Sequence, residues 1–120
     1  LEMAVSRGAW QAWSFGPMLL DGEGNPLPDA RLNTSKNIRR ANPRVGLGYY
    51  APGHYCFIVV DGRTDEASGL TFADLGCKAA YNLDGGRSSF MVYDGNVLND
   101  PYKGGRSVSD CILLCSDPEA

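Results

Sequence analysis

Two aspartates that follow apolar segments are the first candidates for chemistry in this sequence. Asp61 follows residues 55–60, Asp84 follows residues 79–83, and each aspartate precedes a glycine. Glycine lets a ligand approach the backbone closely beside each carboxylate. Paired carboxylates carry out general acid and base catalysis and flank the scissile bond in glycoside cleavage. Asx turns at strand ends explain the same residues, and spacing leaves both interpretations open.

Basic and amide side chains near the glycine turns could complete such a site. Arg63, Arg87 and Arg106 each lie near a glycine turn, and a guanidinium group can bind two phosphate oxygens at once. Solvated surface arginines would look the same. The N–H groups of residues 85–87 could face an oxyanion. Asn82 would point to the same side of its strand as the second aspartate, so its amide could orient a carboxylate or a sugar hydroxyl.

Other catalytic and cofactor motifs fail on their context. Ser88 lacks the second glycine of the Gly-x-Ser-x-Gly nucleophile elbow, and His54 is the single histidine, with no evident partner. A Ser-His-Asp triad is therefore not predicted. Residues 21–32 imitate a calcium loop but have Pro26 at its sixth position, and residues 46–51 imitate a dinucleotide fingerprint without a following helix. We predict neither a metal nor a cofactor.

Composition restricts the class of protein. The chain has 120 residues, of which 43% are hydrophobic, and a net charge of -3. These values predict one domain and argue against a general nucleic-acid binder, which needs a concentrated basic face. No apolar run approaches the roughly 20 residues that span a bilayer, so no membrane contact by this segment is expected. The four cysteines lack metal or redox spacing and are predicted to be buried free thiols.

Fifteen glycines and seven prolines predict short strands joined by turns. The predicted fold class is α+β, a mixed sheet with few short helices. Expected elements are a strand at 18–20, a loop at 29–44, a hairpin turning at 51–54, a central strand at 55–60, a short helix at 71–75, a buried strand at 79–83, a hairpin turning at 94–95 and a final strand at 109–115. A crossover should make the strands at 55–60 and 79–83 parallel, which would place Asp61 and Asp84 at one edge.

Five segments, in order, resemble a known family: NPRVGLGYY, VVDGR, SGLTFADL, LGCKAAYNLDGGRSS and NDPYKGGRSVSDCILL. They are similar to the carboxy-terminal half of the phosphodiester glycosidase domain, and the resemblance runs from Phe15 to Leu114. It implies a hydrolase that removes a sugar, such as N-acetylglucosamine, from a 1-phosphodiester. Carried over by motif, Arg63, Asn82, Asp84, Gly85, Gly86 and Ser88 would line the cavity, with Asp61 and Arg106 beside it.

The resemblance also implies roles and surroundings. Asp84 would act as acid, base or nucleophile, with Asp61 and Asn82 as further catalytic candidates. Arg63 and the Gly85 and Gly86 amides would hold the phosphate, together with Arg87, Ser88 and Arg106. The partner would be a sugar phosphodiester or glycan. Exopolysaccharide-associated bacterial relatives suggest an extracellular or cell-envelope location, although the cytoplasm stays open.

Two departures from the family weaken the expectation of activity. Family members carry further upstream sequence, and their helix after position 71 is longer. Residues 1–120 would then be the carboxy-terminal portion of the domain. The alternatives are a non-catalytic module that binds carbohydrate or phosphate, and a fragment that needs a partner chain or the missing upstream half.

Overall fold

A computed structural model describes residues 2–9, 11–28, 40–64 and 69–116. Its helices are α1 (Glu2–Ser6) and α2 (Gly69–Asp74), its strands are β1 (Asn42–Ala51), β2 (His54–Thr64), β3 (Ala79–Asn82), β4 (Val92–Tyr93) and β5 (Asn96–Val97), and 3₁₀ turns occur at Gly86–Ser88 and Tyr102–Gly104. Neither helix in these ranges is long and apolar enough to cross a membrane.

The main sheet has three strands in the order β2-β1-β3, and both strand pairs are antiparallel. The β1–β2 hairpin turns at residues 52–53, where Gly53 has a φ of 78° that suits glycine. β4 and β5 form a separate hairpin whose turn residues, Asp94 and Gly95, both have positive φ. Paired positive φ values fit the twist of a two-residue hairpin. Both hairpins confirm the sequence prediction.

The predicted central strand is wrong. Residues 55–60 lie in β2, which is at the edge of the described sheet, and β1 is the central strand. An apolar run on both faces does not reveal which strand has two neighbours. In β1, Gly46 and Gly48 admit close packing from Phe72 of α2.

The crossover prediction is right about direction. β2 and β3 both run antiparallel to β1 and are therefore parallel to each other, with β1 between them. The mixed pairing predicted for the sheet is not found, because every strand pair in the described ranges is antiparallel. The described chain is mostly β-structure with few short helices, and its helical content is too small to support the α+β class.

The core lies where α2 packs against β1. Phe72 of α2 is fully buried, and a Cβ added at Gly46 would come within 2.7 Å of its ring. The remaining core residues are Leu19, Leu20, Cys77 and Ala80. The Cys56 and Cys77 sulfurs lie 3.6 Å apart, directly over Gly48. The absence of side chains on this face of β1 therefore makes the space for the core.

Residues 15–27 run along β3 and then turn back. The Leu19 N–H donates to the Ala80 carbonyl at 2.8 Å. The strand predicted at 18–20 is not formed as a continuous strand, because Met18 and Leu20 make only isolated β-bridges. In the turn, the Asp21 carboxylate accepts hydrogen bonds from the Asn25 side chain and from the N–H groups of Glu23 and Asn25. These bonds, the Asn25 side chain first, lower the pKa of Asp21. Asp21 thus serves an Asx turn.

Two sequence predictions fail near the carboxy-terminal end. Residues 109–115 form no strand, since they pair with none of the described strands. Cys111 and Cys115 are exposed, which contradicts the prediction of four buried thiols, whereas Cys77 is buried and Cys56 is half-buried.

The predicted loop at 29–44 is also corrected. β1 begins at position 42, and residues 29–39 lie outside the described part of the chain.

Candidate active site

A cavity of about 540 Å³ lies beside the carboxyl end of β3. It brings together the start of β1, the turn after β3 and the second 3₁₀ turn. The lining residues are Phe15, Asn42, Pro43, Arg44, Asn82, Leu83, Asp84, Gly85, Gly86, Arg87, Tyr102 and Arg106. Three arginines and one aspartate give this lining an excess of positive charge, which favours an anionic ligand.

Asp84 and Arg106 form an ion pair in this cavity. The Arg106 Nη2 lies 2.6 Å from Asp84 Oδ2, and its Nε donates to the Ser88 hydroxyl, also at 2.6 Å. About half of each charged side chain is exposed, so a ligand can reach both. The structure therefore places together three residues that the sequence predicted as a group.

Arg87 connects the two turns of the site. Its Nε and Nη2 both donate to the Gly105 carbonyl, at 2.9 Å and 2.6 Å. The predicted phosphate-binding side chain thus lines the cavity but uses two of its donors to fix the loop that carries Arg106. Its structural contribution is visible, and phosphate binding by Arg87 stays a prediction.

Gly85 is required by close packing. A Cβ at this position would collide with the Pro43 carbonyl oxygen, which is rigid backbone at the start of β1. Gly86 then begins the 3₁₀ turn that ends at Ser88. The glycine pair therefore lets the turn bearing Asp84 lie directly against β1.

Arg44 lines the cavity and was missed by the sequence prediction, which assigned it to a loop. It is 8% exposed, its Nη2 donates to the Arg40 carbonyl at 2.7 Å, and its buried Nε has no hydrogen-bond partner within the described residues. Burial lowers the pKa of Arg44, although arginine stays protonated at neutral pH. A buried, partly unsatisfied guanidinium beside a cavity is suited to an anion.

The sequence carries no signal for Arg44, because the apolar residues Val45 and Leu47 make the opposite face of β1 look like the core face. Residues 44, 46 and 48 of β1 are buried, whereas 45 and 47 are half-buried. This alternation places Arg44 on the same face as Gly46 and Gly48. An arginine on the core face of a strand is a better site candidate than one in a polar loop.

Asp61 is held by two residues that follow β5. Its Oδ1 accepts from the Asn99 side chain at 2.8 Å and its Oδ2 from the Asp100 N–H at 3.0 Å. Asp61 is not among the residues that line the cavity. The two carboxylates are therefore not brought together in it. Arg63 belongs to β2, and its side chain lies outside the described part of the chain.

Asn82 lines the cavity, and its side chain and backbone are hydrogen-bonded to a neighbouring segment. It is 4% exposed, and its Nδ2 donates to the Gly16 carbonyl at 2.9 Å. Its backbone N–H donates to the Pro17 carbonyl at 2.9 Å. Asn82 therefore binds the segment before residue 18 to β3.

Two aromatic residues in the described part of the chain line the cavity. They are Phe15 and Tyr102. Trp13 is 51% exposed and is absent from the lining, and Trp10 is outside the described residues. No group of three or more His, Cys, Asp or Glu side chains in the described ranges could hold a metal ion.

Comparison with known sequences identifies relatives. The sequence profile of the family described as phosphodiester glycosidase matches residues 2–115. The SPbeta prophage-derived uncharacterized protein YomE of Bacillus subtilis (strain 168) is 31% identical over 121 residues, which cover 94% of this chain and 18% of YomE. The chain therefore spans about a fifth of that relative.

Solved structures share the fold. A hypothetical protein from Synechocystis matches with a TM-score of 0.57 and 26% identity, over 76% of this chain and 18% of that one. The catalytic domain of zebrafish N-acetylglucosamine-1-phosphodiester alpha-N-acetylglucosaminidase, auto-inhibited by its pro-peptide, matches with a TM-score of 0.54 and 22% identity, over 70% of this chain and 33% of that one. The latter identity is low enough that the likeness concerns fold alone.

Proposed function

Because this chain belongs to the phosphodiester glycosidase family, we propose that it contributes to hydrolysis of a sugar 1-phosphodiester, giving free sugar and a phosphomonoester. One observation carries the proposal. A single cavity contains the Asp84 carboxylate, its ion-pair partner Arg106, and the buried Arg44 with an unsatisfied Nε. These groups match a substrate that joins an anion to a reactive carbon.

The arginines would bind the phosphate. Arg44 brings a largely buried positive charge to the cavity lining, where attraction to an anion is stronger than in water. Arg106 is half exposed and can exchange part of its interaction with Asp84 for one with the ligand. Together the two guanidinium groups would neutralise the phosphodiester and stabilise the charge that grows on it as the bond breaks.

One carboxylate is enough for this chemistry. Glycosidases generally use one acid to protonate the leaving oxygen and a second carboxylate on the other side. The phosphate leaving group is a monoester dianion whose conjugate acid has a pKa of about 6, so it departs without a proton far more readily than an alkoxide does. The bond from the anomeric carbon to the phosphate oxygen would break, the phosphate would leave with the electron pair, and water would supply the new hydroxyl.

Asp84 would then act in one of two ways. As general base it takes the proton from the attacking water, and as nucleophile it forms a glycosyl ester that water later cleaves. The Arg106 guanidinium, 2.6 Å away, holds the carboxylate in place for either role. This accounts for a cavity whose lining contains Asp84 without Asp61.

A second candidate is a non-catalytic module that binds sugar or phosphate. It is favoured by the small part of its relatives that this chain spans, 18% of YomE, and by the commitment of Asp61 to Asn99 and Asp100. Missing upstream sequence or a partner chain would then supply the rest of the cavity.

Turnover of an N-acetylglucosamine 1-phosphodiester separates these candidates. We expect the protein to release sugar and phosphomonoester, and Asp84→Asn to lower kcat by about 100-fold or more. Asp94→Asn is the matched control, because residue 94 is exposed in a hairpin turn with φ of 48°, a conformation that asparagine tolerates.

Folding and binding controls make the result decisive. The Asp84–Arg106 pair is half exposed, so its loss should change the thermal midpoint little. Full activity in a folded Asp84→Asn protein would refute the catalytic role. Phosphate binding by the wild-type protein without turnover would favour the binding module.

A further inference from the structure

Phe15 presents an exposed aromatic ring at the cavity. Its side chain is 52% exposed, and it lines the same cavity as Arg44 and Asp84. Scattered exposed apolar residues are ordinary on protein surfaces. An aromatic ring that shares a cavity with charged groups is different, because such pockets combine apolar walls with a few orienting polar groups.

The backbone on either side of this ring is fixed by β3. The Phe15 N–H donates to the Tyr81 hydroxyl at 3.0 Å. The Gly16 N–H donates to the Asn82 carbonyl at 3.2 Å, and the Asn82 side chain donates back to the Gly16 carbonyl at 2.9 Å. The ring is thus carried by a segment with side-chain and backbone bonds to a core strand.

Asn82 explains why this segment has a defined position. Asn82 is 4% exposed, so the hydrogen bond from its side-chain amide to the Gly16 carbonyl is protected from competition by water. Losing the bond would leave a buried carbonyl without this donor, at a free-energy cost that favours keeping the segment in place. Asn82 therefore acts on the cavity through Phe15 rather than through its own amide group.

The cavity lining combines two kinds of chemistry. Arg44 and Arg106 supply positive charge, whereas Phe15 supplies an apolar face. A pyranose ring has an apolar C–H face that stacks on aromatic rings, and its phosphate carries the negative charge. A sugar phosphate could contact both the arginines and the aromatic ring, whereas phosphate alone would use only the arginines.

We propose that Phe15 is the stacking wall that recognises the sugar ring, and that Asn82 is a positioning residue that holds this wall. The inference rests on the proposed function for its substrate class and names which part of the cavity selects the sugar. Its consequence is that sugar affinity and phosphate affinity can be changed independently.

The test is equilibrium binding of two separate probes, the methyl glycoside of N-acetylglucosamine and inorganic phosphate. Phe15→Ala should weaken methyl glycoside binding by about 3- to 10-fold and leave phosphate affinity within about twofold. Phe15→Tyr should restore sugar binding. Trp13→Ala is the matched control, since Trp13 is equally exposed but does not line the cavity.

Asn82→Ala tests the positioning role. It should weaken methyl glycoside binding as Phe15→Ala does, leave phosphate affinity within about twofold, and speed hydrogen exchange at the Phe15 amide. Combining Asn82→Ala with Phe15→Ala should cost little more than either change alone, because both act on the same contact. A general loss of structure would instead weaken the binding of both probes.

Three results would overturn the inference: no methyl glycoside binding by the wild-type protein, equal sugar affinity in Phe15→Ala, or parallel loss of both affinities. Equal sugar affinity would indicate that Phe15 packs against another segment or chain. Because neither probe is hydrolysed, failure here is distinct from failure of the proposed activity. Sugar-specific loss in a protein without turnover would support the wall and refute hydrolysis.

Discussion

Replacing Arg44 by methionine should weaken anion binding while changing stability little. The substitution removes a buried cation and keeps a long apolar side chain in its place. It deletes the bond from Nη2 to the Arg40 carbonyl, which as a charge-assisted bond stabilises by about 1.5–3 kcal/mol. It also removes the buried Nε that lacks a partner, which relieves about 1–3 kcal/mol. The opposed effects leave a net change within about 2 kcal/mol.

The effect on phosphate binding should be larger. If the Arg44 guanidinium group donates to the anion, the lost charge-assisted bond is worth about 1.5–3 kcal/mol, or roughly a 10- to 150-fold weaker Kd. Urea unfolding followed by circular dichroism measures the first quantity, and calorimetric titration with inorganic phosphate measures the second. The prediction is therefore a separation of binding from stability.

Lys103→Met provides the comparison for the loss of one positive charge. The Lys103 ammonium lies 5.3 Å from the Tyr102 ring, and the residue does not line the cavity. The phosphate affinity of Lys103→Met should stay within about twofold of the wild-type value at physiological salt, because exposed charges are screened. Phosphate affinity unchanged in Arg44→Met would refute the argument, and so would a destabilisation above about 3 kcal/mol, which would mark Arg44 as mainly structural.

Two further predictions concern stability. Asn99→Ala removes the amide that donates to the Asp61 carboxylate and the Ser89 carbonyl, so urea unfolding should show a loss of about 1–3 kcal/mol. A loss no larger than that of Asn96→Ala, whose amide donates only within the exposed hairpin, would contradict this. Burial raises the pKa of the Cys77 thiol above its ordinary 9.0. Its contribution to stability is therefore complete below about pH 9 and is lost as the pH rises through the pKa that the thiol has in the folded protein. As the pH rises above 9, the thermal midpoint should fall less in Cys77→Ala than in the wild-type protein. An equal fall of the midpoint in both proteins would disprove this role of the thiol.

Local chemistry made some elements predictable. The turn at residues 52–53, the short helix expected at 71–75 and observed at Gly69–Asp74, and the Asp94–Gly95 turn were confirmed. Each depends on a glycine or proline whose backbone preference acts within a few residues. Such features need no information from distant parts of the chain.

Features that depend on distant partners were not predictable. Asp61 looked catalytic because its partners, Asn99 and Asp100, lie 38 and 39 residues further along the chain. Arg44 looked like a surface residue, since sequence does not show that Gly46 and Gly48 open the face beside it. The apolar strand at 55–60 fits an edge as well as a centre, because composition reports burial and not the number of neighbours.

Gly85 also sets a dimension of this site. Its missing side chain lets the turn touch the Pro43 carbonyl, one residue from Arg44 and one from Asp84. The spacing between the two backbone segments that carry Asp84 and Arg44 is therefore set by contact of main chain with main chain. Side-chain substitutions elsewhere in the lining can change the chemistry of this pocket while this backbone contact stays the same.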